Sequence, residues 1–498
     1  MLLNIEELAN SATSIYVAVA VVLLSILYYL FKTRGLPPGP ISYPYLGLWP
    51  ILKHETAHLQ LQEYAKKYGD VFSFTYTGRL FIHLGNVKAT REAHITRSDS
   101  FYDRPNAFHL LNYFLDGGVV YLQGEAWKAV RKFLLFQFRE RGMTAIKESL
   151  SGPIYDTVRE TIADLRKAKG QPVDIAEILL VKCGKVMRQT LFGNDGMSDK
   201  EMIEFSRAYF KNLMSMTSIN LMLVGNFAKY FLFPFAMNVP ESKKGHREMK
   251  KIMIEVVKRR RATFDENHIR DGLDAFFKEK KEREARKDPV AKYFTDEVLM
   301  ISLLQIVGDG VLFLAMFISD FLTAALKHPE EQEKIYKELV EVVGLDRNPE
   351  IDDKSKLIYT NAFLNEVMRT TETFTMFPSM ECAKETTISG YRIPKGAITV
   401  YNFYAAHMNA DDYDEPEKFK PSRFIAKEGQ KKPDLLPLFG IGKRACMGEG
   451  YSMIQTFLFL TTILKNFRLT KAPTKKEDGT SLFFYFDKVE ICAHPRIS

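Results

Sequence analysis

Cysteine is scarce in this chain, with four in 498 residues: Cys183, Cys382, Cys446 and Cys492. They are widely scattered, with no CxxC pair and no disulfide framework, which suits a reducing compartment. Cys446 stands apart. It lies in PLFGIGKRACMGEG (Pro437–Gly450), behind Gly440, Gly442 and Arg444 and ahead of Gly448. A thiolate is a strong ligand for iron, and as the lone protein ligand it fits heme better than zinc, which takes three or four nitrogen or sulfur ligands. No histidine or second cysteine falls within 30 residues of Cys446 on either side. Glycines around it let the backbone approach a flat ring and aim N–H groups at the sulfur, and Arg444 can meet a ring carboxylate. A structural cysteine in a glycine turn is the other reading of the same residues.

The elements around such a loop are mostly helical. The most apolar of them runs from Val298 to Leu326, broken only by Ser302, Gln305, Gly308, Asp309, Gly310, Ser319, Asp320 and Thr323. Thr295 can cap this helix, with Asp296 and Glu297 in its first turn, and Pro329 opens the next one. Its 29 residues span about 43 Å. A membrane span has the same length, but two aspartates and a glutamine inside it argue for a buried core helix. Gly308 and Gly310 weaken it locally, as expected where something large packs. Helical periodicity also marks Ala126–Phe138, Met202–Met216, Met249–Phe264 and Tyr336–Val343. VFSFTYTGRLFIHLG (Val71–Gly85) reads as a β-hairpin, and GYRIPKGAITVYN (Gly390–Asn402) as a second, turning at Pro394–Gly396. SLFFYFDKVEICA supplies a third strand region. The fold class is mainly α with a small β portion.

The N-terminus gives the location. Ile15–Phe31 carries no charge, and counting from Ala12 gives 20 residues, about 30 Å of helix and enough to cross a bilayer core. Glu6 and Glu7 precede it and Lys32 and Arg34 follow, which points to an uncleaved anchor with the bulk of the chain cytosolic. The division expected is an anchor over 1–34, spanning at about 12–31, and a soluble part over 35–498 that begins with the Pro-rich elbow LPPGP at 36–40. The net charge of +8 is densest at KRRR (Lys258–Arg261) and KEKKEREARK (Lys278–Lys287). A solvated helix face or loop accounts for such runs; docking of an acidic partner or anionic lipid is the sharper reading. No nucleic-acid partner is expected, since no binding motif accompanies the charge.

FGIGKRACMG resembles the cysteine-loop signature of the cytochrome P-450 superfamily, the heme-thiolate oxygenases, with Phe439, Gly442, Arg444, Cys446 and Gly448 all in place. The resemblance extends from Leu36 onward through six motifs in order. LPPGP is similar to the elbow of membrane-bound members. EAWKAVRKF sets Trp127 and Arg131 four apart on one helix face, like the family's propionate pair. Arg104 in FYDRP matches another propionate arginine of animal members. NEVMR and DEPEKFKPSRF supply Glu366, Arg369 and Arg423, similar to the Glu–Arg–Arg network behind the cysteine loop. The resemblance implies the cytochrome P-450 fold behind one N-terminal transmembrane helix, heme b with Cys446 as axial ligand, and propionates held by Arg444, Trp127, Arg131 and Arg104. Phe439 would shield the sulfur. GNFAKYFLFPF (Gly225–Phe235) would dip into the membrane, with ordinary core packing as its other reading. The implied activity is monooxygenation of a lipophilic small molecule at the endoplasmic reticulum membrane, with electrons from NADPH through a flavoprotein reductase.

The chain departs from the pattern in two places. The long helix corresponds to the one crossing the distal face of the heme, where relatives carry a glycine, then an acid and a threonine that deliver protons. Gly310 falls on the glycine, but Leu312 and Phe313 take the places of the acid and the alcohol. No Ser or Thr occurs between Ser302 and Ser319. Proton delivery then falls to water, a substrate hydroxyl or Asp309. An oxygen-independent isomerase or dehydratase of hydroperoxides, or a low-turnover heme protein that binds an apolar ligand, are the alternatives these residues raise. Second, Met380–Glu381 stands where relatives keep a propionate-binding Arg or His. Glu381 is expected to point elsewhere, with Lys384 as a substitute cation.

Overall fold

In β1 (Val71–Tyr76) the aromatic residues Phe72, Phe74 and Tyr76 turn inward and the hydroxyl residues between them are partly exposed. Thr77 and Gly78 both take positive φ, the two-residue turn that suits strand twist, and β2 (Arg79–Leu84) returns antiparallel. Strands β3 (Val173–Asp174) and β4 (Met376–Glu381) lie further along. The expected hairpin at Gly390–Asn402 is not formed. A turn at Ser389–Gly390, again with positive φ at both residues, joins β5 (Thr386–Ile388) to β6 (Tyr391–Ile393) as their own two-stranded sheet. β7 (Ile398–Asn402) leaves them to run parallel to β2 and antiparallel to β4. Every residue of β7 is buried, so it needs a partner on each side, which a hairpin with β6 cannot supply. The order in this sheet is β1–β2–β7–β4. β8 (Phe467–Lys471) pairs with β9 (Glu490–Pro495), the described part of the expected C-terminal strand region, and β9 also pairs with β3.

Helices make up most of the rest. Those that matter to the site are α1 (Gly124–Glu140), α2 (Ile175–Phe192), α3 (Asp199–Leu213), α4 (Val239–Ala262), α5 (Asp296–Lys327), α6 (Pro329–Val343), α7 (Ile358–Thr370) and α8 (Glu449–Asn466). They cover the four helical stretches read from periodicity, except for residues 214–216 and 263–264. The computed structural model describes residues 33–53, 55–105, 112–114, 116–143, 148–193, 196–213, 220, 222–223, 228–232, 235–236, 238–426, 432–472 and 489–496, with six positions between 16 and 24. The expected anchor over 12–31 therefore falls largely outside the described residues. Of its described positions, Tyr16, Val17, Val19, Leu23 and Leu24 are exposed. The elbow at Leu36–Pro40 docks on β1, where Ser73 donates through its N–H to the Pro38 carbonyl and through its hydroxyl to that of Pro37.

Helix α5 is a core helix. Thr295 caps it by accepting from the Val298 amide, and Leu304, Val307, Val311, Ala315, Ile318 and Leu322 are buried against α2 and α8. Among the described residues it is the one helix long and apolar enough to cross a membrane, yet it is mostly buried in protein. The basic runs are held by internal pairs. Arg260 meets Asp271 at 2.5 Å with both side chains buried, Arg259 meets Glu201 at 2.8 Å, and Arg261 meets Asp296. In the second run Lys281 pairs with Glu266 and Arg283 with Glu279 and Asp288.

Candidate active site

The cysteine loop runs from residue 432 without helix or strand and tightens into a single 3-10 turn, Gly442–Arg444, before α8. Gly442 takes a φ of +80°, and a β-carbon there would stand 2.1 Å from the His94 carbonyl oxygen, so only glycine lets the loop lie this close. The Cys446 amide donates to the Phe439 carbonyl at 2.8 Å and the Gly448 amide donates to Cys446 Sγ at 3.3 Å. Cys446 opens onto a cavity of about 460 Å³. Burial raises the thiol above its ordinary value, and the Gly448 amide opposes the rise.

Behind the loop the Glu–Arg–Arg network is complete. Arg369 makes a two-pronged pair with Glu366, at 2.9 and 2.7 Å, and Arg423 Nε reaches the same carboxylate at 3.2 Å. Arg369 also donates to the carbonyls of His407, Pro416 and Lys418, and Glu366 accepts from the Lys420 amide. Glu366 and Arg369 are fully enclosed, so the pair pins α7 to the segment leading into the loop.

The residues expected to hold a cofactor's carboxylates converge on the same cavity. Trp127, Arg131, Arg104 and Arg444 all line it. The Arg444 guanidinium stacks 3.9 Å from the Trp127 ring and donates to the carbonyls of Tyr102 and Leu122, both at 2.8 Å. Arg131 donates to the Ala445 carbonyl at 2.6 Å. Burial, and then Arg104, pull Arg444 down to about 9, because three guanidiniums crowd one enclosed space. The indole Nε1 of Trp127 is buried and has no hydrogen-bond partner among the described residues. Crowded cations beside an orphaned N–H are what a bound dianion satisfies, so the residues present fit the two propionates of heme b, with Cys446 Sγ placed for its iron.

Glu381 does point elsewhere. Its carboxylate meets Arg79 at 3.0 Å and stays outside the cavity, while Met380 lines it and Lys384 is exposed. Arg79 supplies the counter-charge that holds Glu381 there.

Helix α5 supplies the other wall. At Asp309–Phe313 its hydrogen bonding widens to a π turn, a local expansion that often marks a functional site. Asp309, Gly310 and Phe313 line the cavity, whereas Leu312 is buried in the apolar core and is not among the lining residues. The Tyr209 hydroxyl, from α3, donates to Asp309 Oδ1. A β-carbon on Gly308 would stand 2.2 Å from the Tyr209 ring, so the glycine expected to admit something large admits this phenol. Burial pushes the Asp309 carboxyl up to about 6, against the downward pull of the Tyr209 hydrogen bond. Phe313 faces Phe374 with ring centres 5.4 Å apart, and Phe439 meets Phe317 at 5.5 Å. Sequence reasoning missed Tyr209 and Phe374. Asp309 in an apolar helix was a signal that some partner existed, but nothing local identified it.

A cysteine sulfur under a cavity flanked by propionate-type cations, on a mainly helical fold with a small sheet, defines a heme-thiolate oxidoreductase. The comparisons agree. The cytochrome P450 family profile matches residues 37–485. Cytochrome P450 2A9 of Mesocricetus auratus is 30% identical over 468 residues, covering 91% of this chain and 92% of that protein. Cytochrome P450 2C23 of Rattus norvegicus is 30% identical over 471 residues, covering 92% of each. Cytochrome P450 2J1 of Oryctolagus cuniculus is 28% identical over 493 residues, covering 96% and 95%. The chain belongs to the cytochrome P450 family, in its animal type, and is a monooxygenase-class oxidoreductase that carries heme on a cysteine thiolate.

Proposed function

We propose that this chain inserts one oxygen atom of O2 into a lipophilic small molecule, with the second atom leaving as water and two electrons supplied by NADPH through a flavoprotein reductase. The heme would supply the oxygen chemistry when bound; the protein supplies the pocket and the proton. The apolar lining, with Val119, Phe313, Phe374 and Met376 among it, suits a lipophilic substrate. The observation that carries the reading is Asp309. It holds a carboxyl on the cavity wall although the family's acid and alcohol positions are Leu312 and Phe313. Its Oδ1 is taken by the Tyr209 hydroxyl, and Oδ2 has no hydrogen bond among the described residues. Oδ2 is therefore the atom that holds and releases the proton, and Tyr209 keeps the carboxyl from turning away. A value of about 6 suits proton transfer near neutrality. Gly310 gives the turn room and Phe313 shapes the wall.

The enzyme works at the endoplasmic reticulum membrane as a single-pass protein with its catalytic part in the cytosol. The charge pattern around residues 12–31 supports that orientation, and the exposed side chains Tyr230, Phe231 and Phe235 suit lipid contact. An apolar wall with Phe313 in the alcohol's place also suits oxygen-independent rearrangement of a hydroperoxide, and the two readings separate cleanly. Membranes containing the protein and reductase are given NADPH and oxygen, or an organic hydroperoxide under nitrogen without NADPH. Product in the first case alone, with Asp309→Asn diverting NADPH consumption to hydrogen peroxide, is the expected result. Anaerobic turnover of the hydroperoxide at an equal rate would overturn it.

A further inference from the structure

A polar side chain inside an apolar helix costs free energy unless a specific partner satisfies it. Along α5 four such residues each hold a different piece of the cavity wall, whereas Ser319 donates back to the Ala315 carbonyl of its own helix. Ser302 Oγ and Gln305 Oε1 accept from the amides of Val119 and Val120, at 3.1 and 2.9 Å. Asp309 holds Tyr209. Asp320, nearly two turns past Phe313, accepts at one oxygen, Oδ2, from the hydroxyls of both Thr371 and Thr373. Thr371 Oγ1 in turn accepts from the Thr373 amide at 3.1 Å, which closes a small ring of hydrogen bonds.

The two threonines belong to the loop between α7 and β4, whose ends are fixed by the Thr371 amide donating to the Val367 carbonyl at 2.9 Å and the Thr375 carbonyl accepting from the Tyr404 amide at 3.1 Å. Its residues Thr373, Phe374 and Thr375 line the cavity. Within the cavity Phe374 crosses to α5 and meets Phe313. The loop is thus tied to α5 twice, by Asp320 through the two hydroxyls and by the aromatic pair within the cavity.

We propose that Asp320 is a specificity-determining positioning residue, which through Thr371 and Thr373 sets Phe374 against Phe313 and makes a narrow aromatic wall that favours slender or flat apolar substrates over globular ones. Asp320 itself touches no substrate. The inference rests on the reading of this cavity as the substrate site.

The test is ligand selectivity, read from the heme absorption change of the holoprotein in detergent as n-butylbenzene or 1,3,5-tri-isopropylbenzene binds. The preference for the slender probe should fall about tenfold in Asp320→Leu, equivalent to about 1.4 kcal/mol, and by a similar factor in Phe374→Ala. The double variant should lose no more than either single one, because both act through one ring. Asp320→Asn, which still offers an oxygen to both hydroxyls, should retain the preference. Thr371→Val with Thr373→Val cuts the same bonds from the loop side and should match Asp320→Leu. A merely structural Asp320 would lower the unfolding temperature and leave the ratio of the two affinities unchanged; that result, or losses that multiply in the double variant, overturns the proposal. No change in Phe374→Ala would instead defeat the reading of the cavity as the substrate site.

Discussion

Replacing Asp309 with Asn should make the protein more stable above pH 6 while depriving it of its proton donor. Burial moves the carboxyl from its ordinary value of 3.8 to about 6. The folded value lies above the unfolded one, so ionisation opposes folding. The cost is absent below pH 3.8, grows across the window between the two values and is complete above pH 6. At pH 7.5 it amounts to about 3 kcal/mol. Asn keeps an oxygen for the Tyr209 hydroxyl, so most of the packing and that hydrogen bond survive. With about 2.1 cal/mol/K of unfolding entropy per residue, the gain corresponds to about 3 °C in the unfolding midpoint. At pH 5 the advantage of Asn should be smaller by about 1.4 kcal/mol, because the wild-type carboxyl is then largely protonated when folded. The assay is thermal unfolding of the heme-loaded protein at the two pH values, with Tyr209→Phe as a companion. An Asn variant equally stable relative to wild type at both pH values, or less stable at pH 7.5, would refute the argument that Asp309 is held against its charge.

Two further outcomes follow from the geometry. Glu366→Gln leaves Arg369 and Arg423 buried without their counter-charge and should cost about 3–5 kcal/mol, seen as loss of folded holoprotein on expression. Trp127→Phe removes an N–H that has no partner among the described residues, so it should speed heme loss several-fold in a transfer assay to an apo-globin while leaving unfolding of the heme-free protein within about 1 kcal/mol of wild type.

Local spacing made much of the site legible. The residues around Cys446, the Glu366–Arg369 step and the Trp127–Arg131 step all lie within one turn or one helix face, and the structure places each where its spacing implied. The repulsion expected of Glu381 was also legible, although its partner Arg79 was not. What was hidden depends on distant chain. Tyr209 meets Asp309 across 100 positions, and Thr371 meets Asp320 across 51. A carboxylate in an apolar helix announces a partner without naming it. The Gly390–Asn402 hairpin failed for the same reason, since two adjacent strands of good propensity cannot show that one belongs to another sheet. The departure at Leu312 was read from register, and only the π turn at Asp309–Phe313 decides which of these side chains turn to the cavity.

The parallel pairing of β2 with β7 has a consequence for biosynthesis. Leu84 ends β2 and Ile398 begins β7, so 313 residues must follow the first strand before its partner begins. At 5–20 residues per second, a ribosome needs about 15–60 s to supply them. The β1–β2 hairpin forms early and meanwhile presents an open β2 edge with Phe81, Ile82 and Leu84 beside it, the kind of edge that attracts other strands. A nascent chain that stalls before residue 398 should therefore be a client for chaperones, and shielding of that edge becomes a step the cell must provide before any cofactor can bind.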